Sequence, residues 1–408
     1  ADGPRALLAR GLTVRGDGGV ALVVEEAVDA DAYPLHGLGC PLPARYETQP
    51  PARTIEGPIR GVAFADIVEP EGHRGYGTSA SEESLRVLRA HHVEWISVSV
   101  YGFLDNQCDT TIAADGEAPG QQRPGSVREQ LRQARREGMK VLLSPSLYVS
   151  TDAGWRGRLG RRETGGRCWR AQEWQDFLTN YQAFVLRWAE VAEEDPETVA
   201  LLSVGLELVS TTASHPEELA ALTAKVRKVY SGALTYSANW DEAKRVRFWG
   251  DLDLIGVNAF YPLTTRKGAT EAQLRAGAET LAGKLEALSH RTGRRILFTE
   301  IGYKSQPDSA IHPWEWTQKT QDAPVDEAYQ AAAYRAVFSA LWDRPFFAGL
   351  FWWKTFTDAN DLHQQGAEPQ EPRSGFSPLG KAAAEVMKAR FAPRPSPAST
   401  STSTRASR

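Results

Sequence analysis

Only three of the 408 residues are cysteine, Cys40, Cys108 and Cys168. Their spacing makes no CxxC pair and no zinc-ligand rhythm. At most one disulfide can form, with three candidate pairings. Cys108–Cys168 is favoured because both positions fall in loops on the same face of the predicted fold, and three separate thiols are the alternative. Histidine is also sparse, at eight residues. The one close pair, His91-His92, is adjacent in sequence, and adjacent residues do not share a helix face. No metal site and no other cofactor is expected. No apolar run approaches the ~20 residues that span a bilayer. The formal net charge of -4 gives no reason to expect nucleic acid or an anionic membrane as partner. Gly72, Gly75 and Gly77 do not form the dinucleotide-binding GxGxxG turn. No basic, then apolar, then small-residue leader opens the chain. A chain numbered from Ala1 rather than from Met suggests a processed form, and the expected location is secreted or in the cell envelope.

What is present is an ordinary globular balance, 41% apolar and 24% charged, in a length that suits one large domain or two medium ones. Twelve tryptophans stand out. The indole face suits core packing and also stacks on sugar rings.

Residues 1–57 read as an N-terminal extension. Val20 to Val24 forms a strand after Gly18-Gly19, and a Pro-rich arm follows at Pro41, Pro43, Pro50 and Pro51. Residues 392–408, rich in Pro, Ser and Thr, cannot bury a core and read as a disordered tail. Between them, residues 58–391 alternate regularly. Strands are predicted at Gly61–Ala65, Val93–Val100, Lys140–Leu147, Ala200–Glu207, Leu234–Asn239, Leu252–Phe260, Ile296–Ile301 and Phe347–Lys354. Capping boxes at Ser79–Glu82 and Ser126–Glu129 announce helices. Trp174, Phe177, Tyr181, Phe184 and Trp188, spaced by three and four, mark a long one. Helices are also predicted at Pro216–Tyr230, Glu271–Ser289, Val325–Trp342 and Pro378–Phe391, and a helical turn or two between the fifth and sixth strands. Eight apolar strands, each followed by a helical or short connecting segment, predict a (β/α)₈ TIM barrel of class α/β. A doubly wound open sheet is the rival, and it usually carries the glycine turn that is missing here.

In such a barrel, reactive residues sit at the C-terminal ends of the strands. Glu207 ends the fourth strand and Glu300 ends the seventh, so both should project into one bowl from opposite sides. In a regular seventh strand Ile296, Phe298 and Glu300 share a face, with Leu297 and Thr299 on the other. Two facing carboxylates are the equipment of glycoside hydrolysis, one attacking the anomeric carbon and one protonating the departing oxygen. The ionised nucleophile should hold the proton on its neighbour. A lone Glu at a strand end could instead cap a helix or pair with Arg; two at matched positions argue against that.

Gly205-Leu206-Glu207, Phe298-Thr299-Glu300-Ile301-Gly302-Tyr303, Gly349-Leu350-Phe351-Trp352-Trp353-Lys354 and Ser377-Pro378-Leu379-Gly380-Lys381 resemble glycoside hydrolase family 113, the β-mannanases of the large retaining barrel clan. The likeness spans about Pro58 to Phe391. It implies retention of configuration, with Glu207 as acid/base and Glu300 as nucleophile. It also implies a tyrosine after the sixth strand, Tyr261, orienting the nucleophile, and a sugar platform from Trp352 or Trp353. Side chains alternate, so one of that pair faces the core, and Trp352 is slightly favoured for the sugar. Trp155, Trp240 and Tyr303 are further sugar-contacting candidates. Asn239 and Asn258 could bind hydroxyls or cap strand ends. The sequence departs from the clan at Leu206, where an Asn usually holds the sugar 2-hydroxyl. It departs again at Ser144-Pro145-Ser146-Leu147-Tyr148, which carries no basic or imidazole group. The expected function is retaining hydrolysis of a β-linked polysaccharide or oligosaccharide by a monomer, with β-1,4-mannan first. Another β-linked or bacterial exopolysaccharide is the second reading, and a catalytically silent glycan-binding barrel the third.

Overall fold

The computed structural model describes residues 11–16, 19–24, 50–67, 73–114, 122–150, 154–162, 165–315, 323–359 and 372–393. Cys40, Gly72, most of the N-terminal arm and the tail beyond residue 393 lie outside the described residues. Strand β1 (Gly11–Gly16) pairs antiparallel with β2 (Gly19–Val24), which places a hairpin where a strand after a glycine turn was expected.

The barrel is closed by eight parallel strands: β3 (Ile59–Ala65), β4 (Trp95–Leu104), β5 (Lys140–Val149), β6 (Leu201–Leu206), β7 (Ala233–Asn239), β8 (Leu254–Asn258), β9 (Arg295–Ile301) and β10 (Phe347–Phe356). They neighbour one another in sequence order, and β10 closes the ring on β3. Each predicted strand is found, with ends moved by a few residues. The helices are α1 (Ser79–Ala90), α2 (Pro124–Arg136), α3 (Ala171–Glu193), α4 (Val209–Ser214), α5 (Pro216–Val226), α6 (Glu271–Thr292), α7 (Glu327–Leu341) and α8 (Ala382–Phe391). Between β7 and β8 there is only a 3₁₀ turn, Trp249–Asp251.

Several predicted helix starts shift: α7 begins at Glu327 rather than Val325, α8 at Ala382 rather than Pro378, and the caps of α1 and α2 move as well. The cap of α1 is Thr78, whose hydroxyl accepts from Ser81 N, one residue before the expected box. Helix α2 begins at Pro124, so Ser126 lies inside its first turn rather than at its cap. Proline at the first helical position supplies a preset φ where no N–H partner exists. Helix α6 follows its signals closely. Thr270 N donates to the Gln273 side chain at 2.9 Å, and the helix stops at Gly293 with φ 67°.

Two apolar regions result. One lies between strands and helices. The other fills the lower barrel with Ile59, Trp95, Leu142, Leu201, Leu254, Leu297 and Phe351, and Ile55 packs against it from below. Gly61 makes room inside: a Cβ there would lie 2.4 Å from the Phe351 ring. Arg53 N donates to Asp253 at 2.9 Å, Asp253 is ion-paired to Arg227 at 2.6 Å, and Arg295 reaches Ile55 O at 3.0 Å. The described end of the arm therefore seals the barrel's floor, away from the bowl.

Candidate active site

The strand ends do not keep strict alternation where the carboxylates emerge. Val257 pairs with Phe298 but Asn258 pairs with Glu300, so the register skips Thr299. Leu297 belongs to the inner core and Phe298 to the outer one. Strict alternation would have sent Glu300 outward with Phe298, contrary to the bowl position its chemistry needs. The bulge turns it inward, as an extra residue in a strand does. A second register break lies between Ser203 and Leu206 on β6. Glu207 follows it with φ 51°, left-handed for a non-glycine residue. Such a conformation costs about 1–3 kcal/mol and persists only where neighbours impose it.

The neighbours are visible. Glu207 N donates to Ser237 O at 2.8 Å, and Leu208 N donates to the Tyr236 hydroxyl at 2.7 Å. That hydroxyl donates to Glu242 Oε1 at 2.8 Å, Thr212 donates to the same oxygen at 2.5 Å, and Asn239 N donates to Oε2 at 3.0 Å. Glu242 is 1% exposed. Burial pushes its carboxyl up to about 7, against these hydrogen bonds. Tyr236→Phe leaves Leu208 N without its acceptor. The expected result is a loss of about 1–2 kcal/mol in denaturant melts and a kcat lower by roughly tenfold, since the strained turn carrying Glu207 loosens.

The two carboxylates meet at Asn258. Its Nδ2 donates to Glu207 Oε1 at 3.0 Å, and the same side chain favours the charge on Glu300. Burial first, then the charge of Glu207, pushes Glu300 up to about 8; Arg156, Lys354 and Asn258 pull the other way. The carboxyl raised by burial and by its neighbour's charge is thus Glu300, the expected nucleophile.

Trp155 Nε1 donates to Glu207 Oε2 at 3.2 Å, and Arg156 Nη2 lies 4.0 Å from the same oxygen. Gly157 lets the Trp155 ring fold over it: a Cβ there would sit 2.4 Å from the indole. Arg156 is the basic group that the end of β5 itself lacks, and it comes from further along the connection. Adjacent Trp155 and Arg156 were the available signal. The loop is clamped by a Cys108–Cys168 disulfide with a Cα–Cα distance of 5.8 Å. Around it, Gly160 N donates to Gln107 O at 2.8 Å and Trp169 Nε1 to Cys108 O at 2.8 Å. The favoured pairing is the one formed.

The remaining candidates divide. Trp352 is fully buried and stacked on Tyr334 at 3.5 Å, so it is core and cannot touch a sugar. Phe351 faces the barrel interior, Trp352 the helices, and half-buried Trp353 turns back to the bowl side. Lys354 lies 5.0 Å from the centre of the Trp353 ring. Tyr303 is likewise fully buried, its hydroxyl donating to Tyr261 O at 3.3 Å, so it too is no sugar contact. Asn258 has no exposed surface, and its amide is taken up by Glu207 rather than by a sugar hydroxyl. Asn239 donates to Asp241 Oδ1 at 2.9 Å, a local cap. Half-buried Trp240 stacks on Trp314 at 5.3 Å and meets Tyr261 edge-on at 5.7 Å. Burial, then the Asp241 charge, pushes the Tyr261 phenol up. The tyrosine in the field of Glu300 is Tyr101 on β4. Its phenol is pushed up by burial, and Arg156 and Glu300 act on it in opposite senses. Nothing in the strand pattern of β4 distinguished Tyr101.

A family model described as Glycoside Hydrolase Family 113 matches residues 69–377. No curated protein matches the chain. Among solved structures, a GH113 β-mannanase from Alicyclobacillus acidocaldarius is similar at 24% identity and a TM-score of 0.67, covering 82% of this chain and 97% of that one. A GH113 β-1,4-mannanase is similar at 22% and 0.66, covering 82% and 99%. A family 5 mannosidase from Rhizomucor miehei follows at 12% and 0.60, covering 82% and 92%. These likenesses carry the barrel. The family model, which spans most of the chain and both glutamates, carries the membership: the chain belongs to glycoside hydrolase family 113 and is a glycoside hydrolase.

Proposed function

We propose that the protein is a retaining β-glycanase acting on β-1,4-mannan or a closely related β-linked chain, with Glu300 as nucleophile and Glu207 as acid/base. The observation that carries this is the coupling of Glu207 to buried Glu300 in one bowl, with Asn258 bonded to the first and favouring the charge on the second. Direct attack asks for a carboxyl spacing of ~5–5.5 Å, whereas ~6.5–9.5 Å leaves room for a water. The mannan assignment rests on family membership and on the substrates named for its two mannanase neighbours.

The pair holds one proton at neutral pH, because burial and mutual repulsion keep the last one bound. Attack requires that proton on Glu207 and the charge on Glu300. Arg156 and Lys354 favour the charge on Glu300, and a sugar ring that expels water strengthens both effects. After the glycosyl ester forms, the Glu300 charge is gone and Glu207 can take a proton from water. The reactive form carries one shared proton, so kcat/KM is expected to fall as pH rises through about 8, the value to which Glu300 is pushed. A pH–rate profile checks this, and an alkaline limb near 5 contradicts it.

A second reading, an acidic β-linked or bacterial exopolysaccharide, is favoured by the two cations Arg156 and Lys354 beside Glu300 and by apolar Leu206 before Glu207. A disulfide suits an oxidising compartment, and we infer a secreted or envelope location from it. The test is a panel of neutral and acidic β-glycans assayed for reducing ends, with NMR of the first-formed anomer. Release from none of them leaves the silent glycan-binding barrel, and the inverted anomer removes retention.

A further inference from the structure

The two ends of a side-chain amide have the same shape and opposite chemistry. At Asn258 the N–H end faces Glu207, donating to its Oε1 at 3.0 Å, and the side chain also favours the charge on Glu300. Turned over, the carbonyl oxygen would face two carboxylates that share one proton, and one of them would meet it as lone pair against lone pair. The residue has no exposed surface, so no solvent can compensate a wrong choice. At the other end, the Thr299 hydroxyl donates to Asn258 Oδ1 at 2.9 Å, and Thr299 is 2% exposed. Thr299 is also the residue the β8–β9 register skips, beside Glu300 in the bulge.

We propose that Thr299 is a positioning residue that fixes which end of the Asn258 amide faces the carboxylate pair, and thereby holds the pair in its working geometry. The role is given to Thr299 by chemistry rather than shape. A valine fills the same volume but leaves Oδ1 buried without a donor, and the amide then gains nothing from its present orientation. The inference rests on the reading of Glu207 and Glu300 as the reacting pair. The other groups in the field of the pair are Arg156 and Lys354, which favour charge on Glu300, and Asp241, Glu242 and Tyr101, which are coupled to one or other glutamate.

The test compares Thr299→Val and Thr299→Ser with the parent in the full chain, on the β-glycan cleaved fastest. Loss of the oriented donor removes a bond that favours ionised Glu300, so its titration moves to higher pH. Valine is expected to lower kcat by roughly 10–100-fold with KM within about twofold, and to shift the alkaline limb of kcat/KM upward by about half a unit to one unit. Serine, which keeps the hydroxyl, should restore both. Melting temperature against pH reads the same titration without any substrate: the loss of stability as Glu300 ionises should extend to higher pH in the valine variant. An unmoved titration in both assays, or a serine variant as impaired as valine, overturns the inference. If no glycan is cleaved by any form yet the melting profile shifts, the functional reading fails and the role of Thr299 stands.

Discussion

Replacing Glu300 by glutamine is expected to lower kcat/KM by about 10⁴-fold or more while making the protein harder to melt. The loss follows from removing the attacking oxygen. The stabilisation follows from linkage. The Glu300 carboxyl is raised from 4.5 to about 8, so the folded state keeps a proton that the unfolded chain releases. That contribution is fully present below about 4.5 and is lost as pH rises towards about 8. At pH 7 the difference amounts to roughly 3 kcal/mol, or about 4 °C in a barrel of this size. Glutamine does not ionise and removes the dependence. Differential scanning calorimetry at pH 7 and at pH 4 should show the gain at the first and not the second. Undiminished release of reducing ends would sink the assignment of Glu300, and an equal gain at both pH values would sink the account of its burial.

Removing the disulfide with Cys108→Ser and Cys168→Ser together is expected to have the next largest effect. It closes a loop of sequence separation 60. The chain-entropy account puts that at about 4 kcal/mol, or roughly 5 °C here. Trp155 and Arg156 lie within the closed loop and both approach Glu207 Oε2, so activity should suffer beyond the stability loss. A kcat reduced several-fold at temperatures well below melting is the expected signature, read against the parent treated with reductant. A double variant that melts earlier but turns over at the parent rate would show that the clamp serves the fold alone.

The barrel was legible because each strand carries its own apolar run and its own stop signals. Gly293 ends α6 in the structure as in the sequence, and the β10 run Phe347–Phe356 reads as a strand from its residues alone. Glu207 and Glu300 were legible as strand-end carboxylates because strand counting gives them opposite sides of one bowl. Less was visible where single residues break the pattern. Strict period-two reading misplaces Glu300, since a bulge depends on pairing with β8 and leaves no mark on β9 alone. Arg156 and Tyr101 reach the pair through loop and register geometry that composition does not encode. Trp352 and Trp353 differ only in which way the pleat turns. Asn258 and Tyr303 look available for sugar in sequence, and burial takes them away.

The skipped residue on β9 also bears on how such a barrel can change over evolutionary time. The loops that carry Trp155, Trp240 and Trp314 can lengthen, shorten or exchange, and each alters the walls of the bowl without touching the pair. The tip of β9 has no such freedom. Thr299 and Glu300 reach Asn258 together only because one position is left out of the ladder. Deleting it would leave the carboxylate facing inward but take away the hydroxyl that holds Asn258, and inserting another would turn the carboxylate into the layer of Phe298. New substrates can therefore be acquired residue by residue around the rim, whereas the reacting centre is inherited whole or lost in one step.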